Sequence, residues 1–323
     1  MSIGNHDITL DTEFYKQNGN KFHNQNRQDP AICQQLIENT PSIIWLKHES
    51  AVIHLVSPVG PQTTFKIFGS PFSRANGVWA FGYLPEEAPQ LWNQIPADCD
   101  IVVTHTPPKY HCDQSNDGHS SGCEALLEKL GTVRPRLAIC GHLHGGRGAQ
   151  RIQWDRTFSN DISNCHGVEQ WNDLSKRSNI ASFIDLSFGA ERPLENDGSV
   201  ADGANKAVSN SRSSSSKIYD AAVWSEMNGS PFPTSRPVTC THLSTPHRVP
   251  SSSREQGGNI PQPTGRRDFG NFTCDTGRLE TFVINAAIMA SSWPHAGGKK
   301  FNKPIVVDID LPVSIGQGKL SCD

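Results

Sequence analysis

The 323-residue chain has little net charge and no long apolar run. A formal charge of -3 gives no basic field to hold a nucleic-acid backbone and no strongly acidic tail. Affinity for phosphate must then come from a local site, not from bulk charge. No stretch is long and apolar enough for a membrane span, and no signal peptide opens the chain. The nine cysteines show no repeated Cys-x-x-Cys spacing, so reduced thiols are expected, which favours the cytoplasm. A Gly-x-Ser-x-Gly elbow, a phosphate-binding P-loop and a dinucleotide glycine pattern are all missing, which leaves serine hydrolases and the common nucleotide folds without support. No internal repeat is evident, and nothing sets an oligomeric state. Hydrophobic residues make up only 35% and mean hydropathy is -0.48, so part of the chain is expected to be poorly ordered.

What is present is uneven along the chain. Residues 11–29 are polar and read as a loop. Asp29-Pro30 reads as an N-cap and first-turn proline of a helix ending near Asn39, with Ile32, Leu36 and Ile37 facing inward. Ile43–Leu46, Ala51–Leu55 and Thr63–Phe68 read as strands, and Pro85–Asn93 as a short helix. Ile101-Val102-Val103 and Leu137–Cys140 are short apolar runs, as expected of strands buried on both faces. Between them Glu124–Leu130 has helical spacing with Gly131 just beyond, so the three make a βαβ unit. Residues 191–268 are rich in Ser, Asn, Gly, Pro and Arg, with few apolar anchors, and are expected to be a disordered insertion. Strands return at Leu279–Ala287 and Pro304–Leu311. The expected organisation is one domain over 1–190, interrupted by the insertion and closed by strands within 278–312.

The polar residues that carry chemistry follow the apolar runs. Thr104-His105 follows one, Gly141-His142-Leu143-His144 another, and Gly4-Asn5-His6-Asp7 follows Ile3, read as a strand stub. Ligands of open α/β sheets bind just outside the carboxyl ends of strands. In extended backbone His142 and His144 would point the same way, roughly 6.5–7 Å apart, and could reach two metal ions about 3.5–4 Å apart. Gly141 would let the backbone turn closely beneath them. Imidazole nitrogen suits Zn, Fe or Mn, and an Asn carbonyl oxygen suits the harder members of that set. The run His105, His111, Cys112, His119, Cys123 also invites a structural-zinc reading, although its spacing matches no such pattern. Asp113 and Glu124 have no evident partner and read as solvated.

Three ordered motifs, Gly4-Asn5-His6-Asp7, His105 after its strand and Gly141-His142-Leu143-His144, resemble the last three of the five motifs of the calcineurin-like metallophosphoesterases. Val103–Pro108, Gly122-Cys123, Arg134–Leu137, Gly145–Gly148, Asn285-Ala286-Ala287 and Phe301–Pro304 are similar to the eukaryotic metallophosphoesterase-domain branch. The resemblance implies an αββα four-layer sandwich and a dinuclear centre of two divalent ions (Mn, Fe or Zn). It implies Asn5, His105 and His142 as ligands of one metal and His144 as a ligand of the other. His6 becomes the catalytic non-ligand that contacts phosphate and protonates the leaving oxygen, with Gly4, Asp7 and Gly141 in support. The implied reaction is hydrolysis of a small phosphoester, more specifically a phosphodiester, by metal-bound hydroxide. The family's Asp-x-His and Gly-Asp-x-x-Asp motifs do not occur before Gly4. The chain therefore reads as amino-terminally truncated, without the first βαβ segment of its fold and with impaired metal binding. The alternative expectation is a non-catalytic remnant or binding protein, or a fragment of an incomplete gene model.

Overall fold

The structure is a computed structural model that describes residues 3–56, 62–155, 165–173, 180–196, 239–242, 277–291, 295 and 297–311. A 3-10 turn at Ile8–Leu10 leads into α1 (Thr12–Phe22) and α2 (Pro30–Glu38), then β1 (Glu49–Val56) and β2 (Gln62–Ser70). Two short strands, β3 (Ser73–Arg74) and β4 (Gly82–Tyr83), precede a 3-10 turn and α3 (Ala88–Trp92). There follow β5 (Ile101–Thr104), α4 (Glu124–Val133), β6 (Leu137–Cys140), β7 (Gly148–Trp154), β8 (Cys165–Gln170), β9 (Ser182–Asp185), β10 (Thr239–His242), β11 (Glu280–Asn285) and β12 (Ile305–Asp308).

Eight strands form one sheet in the order β10-β1-β2-β5-β6-β11-β7-β8. Its four central strands, β2, β5, β6 and β11, are mutually parallel. The flanking pairs are antiparallel. Parallel strands need cover on both faces, which is why β5, β6 and β11 read as apolar runs. On one face α3 and α4 bring Trp92, Leu126, Leu130 and Val133 onto Phe68, Val102, Ala138 and Val283. On the other, the small parallel pair β9–β12 packs Ile184, with Ile305 and Val307, against Leu137, Phe282 and Ile284. The chain is thus α/β, with helix, sheet and second sheet as successive layers. No helix lies over the β9–β12 pair among the described residues. A buried ion pair, Arg151 Nη1 to Glu280 Oε2 at 2.6 Å, ties β7 to β11 across the sheet.

Several expectations need correction. Residues 12–22 are helix, not loop: Asp11 caps α1 by accepting from Phe14 N (3.0 Å), and Tyr15 is buried with Ile8 and Ala80. Helix α2 forms where expected, with Asp29 accepting from Ala31 N (2.8 Å), but Ile32 and Leu36 are 57% and 68% exposed instead of facing inward. Ile43–Leu46 is irregular and no strand stub ends at Ile3. Helix α4 runs through Gly131 to Val133, because left-handed Arg134 (φ 51°) caps it and donates from Nε to Gly131 O (3.0 Å). Asp113 is buried, not solvated: it accepts from Tyr110 N, Ser120 Oγ and Gly122 N at 3.0, 2.6 and 2.8 Å. Glu124 faces Lys109 at 3.9 Å. Most of the expected insertion over 191–268 lies outside the described residues. Within it, Thr239–His242 is a strand paired with β1. No described helix is long and apolar enough to cross a membrane.

Candidate functional site

The carboxyl ends of the parallel strands are laced together one residue beyond their ladders. His105 N–H donates to Ser70 O (3.0 Å), Gly141 N–H to His105 O (3.1 Å) and Ala286 N–H to Cys140 O (2.8 Å). The loops that carry His105 and His142 therefore leave the sheet side by side. The amino-terminal turn docks onto them from outside. Asp7 N–H closes that turn on Gly4 O (2.9 Å), and the Asp7 carboxylate accepts from Gly4 N (2.8 Å). Asp7 thus shapes the turn and does not orient His6. Gly4 lies directly against the His105 imidazole, and a Cβ there would overlap the ring.

This arrangement joins three predicted residues. His105 Nε2 lies 2.9 Å from Asn5 Oδ1 and 3.1 Å from His142 Nδ1. Burial first, then neighbouring His142, His6 and His144, push His105 down to about 3. Burial, then His6 and His144, push His142 down to about 4. Both rings are therefore neutral near pH 7, and each has one nitrogen lone pair free for a ligand. A single neutral nitrogen is either donor or acceptor. His105 Nε2 cannot donate to Asn5 and also accept from His142, so one contact lacks its proton. A cation in their midst satisfies all three. Ligand atoms about 2.1 Å from a metal and at right angles lie about 3.0 Å apart, the spacing seen here. The donor set fits a divalent ion.

His142 and His144 do not sit in extended backbone as expected. His142 has φ 63°, and Leu143 N–H donates to Gly141 O (2.7 Å) across it, making a γ-turn. His144 starts a 3-10 turn, His144–Gly146. A left-handed non-glycine residue costs roughly 1–2 kcal/mol and persists only where its surroundings impose it. Asn285, fully buried at the end of β11, imposes it. Its Nδ2 donates to Leu143 O (2.9 Å) and Cys112 O (2.8 Å), with a longer contact to Gly141 O (3.4 Å). Gly141 itself has open space where a Cβ would go, so its smallness is not what seats the loop.

His6 and His144 line the same cleft as His105 and His142, about 730 Å³ in volume. His144 is close enough to act on both His105 and His142 through its charge; burial, then His6 and His295, lower its own pKa. The His6 ring packs on Trp79, centroids 4.2 Å apart, and Trp79 packs on Phe22 at 5.4 Å. Only histidines act electrostatically on His105 and His142, so no carboxylate stands among them in the described residues. Sequence reasoning missed Asn285, His295 and Trp79 as parts of the site. Asn285 had a legible signal, a polar residue at the end of a buried strand; His295 and Trp79 had none. The structural-zinc reading finds no cluster: His111 bonds Gln150 Oε1 (3.1 Å), Cys123 accepts from Trp92 Nε1 (3.1 Å), and His119 is exposed.

Comparison with known proteins places these residues in a lineage. Residues 1–146 match the family model for calcineurin-like phosphoesterases. The chain is 35% identical over 154 residues to a probable rhamnogalacturonate lyase C of Emericella nidulans, covering 47% of this chain and 13% of that protein. It is 32% identical over 148 residues to a UPF0046 protein of Caenorhabditis elegans, 45% of this chain and 37% of that one. Over 153 residues it is 31% identical to human metallophosphoesterase domain-containing protein 1, 45% of this chain and 44% of that one. The chain thus spans less than half the length of each of these relatives. Over the segment that holds Asn5, His6, His105, His142 and His144, the chain is similar to the calcineurin-like phosphoesterases.

Proposed function

We propose that the chain acts as a metal-dependent phosphodiesterase built on a dinuclear centre. The observation that carries this reading is the convergence of Asn5 Oδ1, His105 Nε2 and His142 Nδ1, with His6 and His144 in the same cleft. Asn5, His105 and His142 would hold one cation, and His144 would contribute to the second. Divalent ions bound there would supply charge neutralisation at the phosphoryl oxygens and a water of lowered pKa. The protein's own part is to hold the diester against the cleft wall and to keep His6 beside the departing oxygen. A water molecule would add to phosphorus and release one proton to solvent, the P–O bond to the alcohol would break, and His6 would pass a proton to the departing oxygen and regain one from solvent. Trp79 supports one side of the His6 ring. Chain loaded with Mn should hydrolyse bis(4-nitrophenyl) phosphate, and His6→Ala should remove turnover while bound metal stays. Turnover that survives in His142→Ala with metal lost would sink the proposal.

One observation favours a second reading, binding without turnover. No described carboxylate faces the histidines, and a hard cation held by neutral ligands alone is poorly neutralised. That reading predicts less than one metal per chain and no release of nitrophenol. A count of two metals per chain with turnover excludes it.

A further inference from the structure

A second hollow, about 310 Å³, is lined by Thr106, the residue after His105. Its volume lies at the lower end of the range for small-molecule sites, about 300–1,000 Å³. Arg74 lines this hollow and also the pocket that contains Asn5 and His142, so one guanidinium borders both. The far wall carries Lys109, Glu124 and Glu128. Lys109 and Glu124 are only loosely paired, at 3.9 Å, which leaves both able to serve a guest. Tyr83 also lines the hollow, its ring edge-on to Trp92 and its hydroxyl sealed among Cys123, Trp92 and Thr106.

The charges decide what kind of ligand fits. Arg74 and Lys109 contribute two positive charges, Glu124 and Glu128 two negative ones, and the sum is zero. A second anion gains nothing from such a wall, and a lipid chain would strand four charges. An alcohol with neighbouring hydroxyls can donate to the carboxylates and accept from Lys109 at once. We infer that this hollow receives the leaving group of the proposed phosphodiesterase, that Arg74 contacts the phosphoryl group between the two compartments, and that the preferred leaving group is an uncharged, hydroxyl-rich alcohol such as a sugar or glycerol.

The inference rests on the phosphodiesterase reading, and two diesters of equal charge separate the two. Binding of bis(glyceryl) phosphate and of diethyl phosphate is measured by calorimetry on the full Mn-loaded chain. The glyceryl ester should bind about tenfold tighter, as expected for two or three added hydrogen bonds. In the double variant Lys109→Met/Glu124→Gln that ratio should fall close to one. Arg74→Gln should weaken both diesters at least tenfold, with Arg74→Lys recovering part of the loss. A ratio near one in the wild type, or a ratio that survives the double variant, overturns the inference. If His142→Ala binds both diesters as well as the wild type, the phosphodiesterase reading falls while the ratio still judges the hollow. A wild-type chain that binds neither diester overturns both.

Discussion

His48 and the His105–His142 pair are all half-buried, and desolvation holds all three below their ordinary pKa, His48 and His142 to about 4 and His105 to about 3. By that measure they look alike. Their partners separate them. His48 has both ring nitrogens engaged by its own fold, Nδ1 with Ser70 Oγ (2.9 Å) and Nε2 with Leu91 O (3.2 Å), and Phe68, Phe72 and Trp92 pack edge-on around it. His105 and His142 turn nitrogens toward each other and toward Asn5, where no assignment of protons satisfies every contact. A depressed pKa therefore marks burial in both places, and only the unfinished hydrogen bonding marks a site.

That contrast breaks first at the ligands. His142→Ala should lower Mn affinity by more than about a hundredfold, beyond what loss of an outer partner does, with diester turnover falling in step. A metal count and a nitrophenol assay on the same sample check it; retained metal would put His142 in the same class as His48. Asn285→Ala should come next. It strips donors from buried carbonyls around Leu143 and should cost about 2–3 kcal/mol in a urea melt, with a ten- to hundredfold loss in Mn affinity. Stability lost without any loss of affinity would mean that the γ-turn holds its shape unaided.

His48→Gln tests the other side: about 2–3 kcal/mol of stability should go, with the number of metals per chain unchanged. The same variant tests a pH effect. The folded pKa of His48 lies below its ordinary value of 6.5, so the unfolded chain binds the proton first as pH drops. The contribution to stability is fully present above about pH 6.5 and is lost as pH falls toward about 4, at most about 3 kcal/mol. His48→Gln should flatten that part of the stability profile. The smallest change should be His142→Gly, which relieves the left-handed backbone and should stabilise the metal-free chain by about 1 kcal/mol while metal uptake is lost. A destabilised glycine variant would show that the turn carries no strain.

The parallel core and the motif residues were legible because each has a local signature. Ile101–Val103 and Leu137–Cys140 are short apolar runs, and a His follows within two residues of each. What the sequence hides is set by tertiary partners. The segment 12–22 looks polar because its helix buries only Tyr15 and Gly19, against residues near positions 8 and 80. Ile32 and Leu36 have helical spacing, but nothing among the described residues covers them. Asp113 looked solvated since its donors, at 110, 120 and 122, meet only after the loop closes. The reading of His142 and His144 as an extended pair assumed regular backbone, which the γ-turn held by Asn285 replaces. Trp79 reaches His6 from a loop more than seventy residues away, a proximity that no spacing rule encodes.

The close approach of Gly4 to the His105 ring has a consequence for the order of assembly. The amino-terminal turn has no seat until the end of β5 and its imidazole are in place, about a hundred residues later in the chain. The turn is therefore a late-closing latch, and Asn5 and His6 join the cleft after the sheet has formed. Amides of residues 4–7 should exchange with solvent earlier than those of β5 and β6, and Gly4→Ala should open the latch while leaving the sheet's protection intact. A chain assembled in this order has its sheet complete before His6 reaches the cleft.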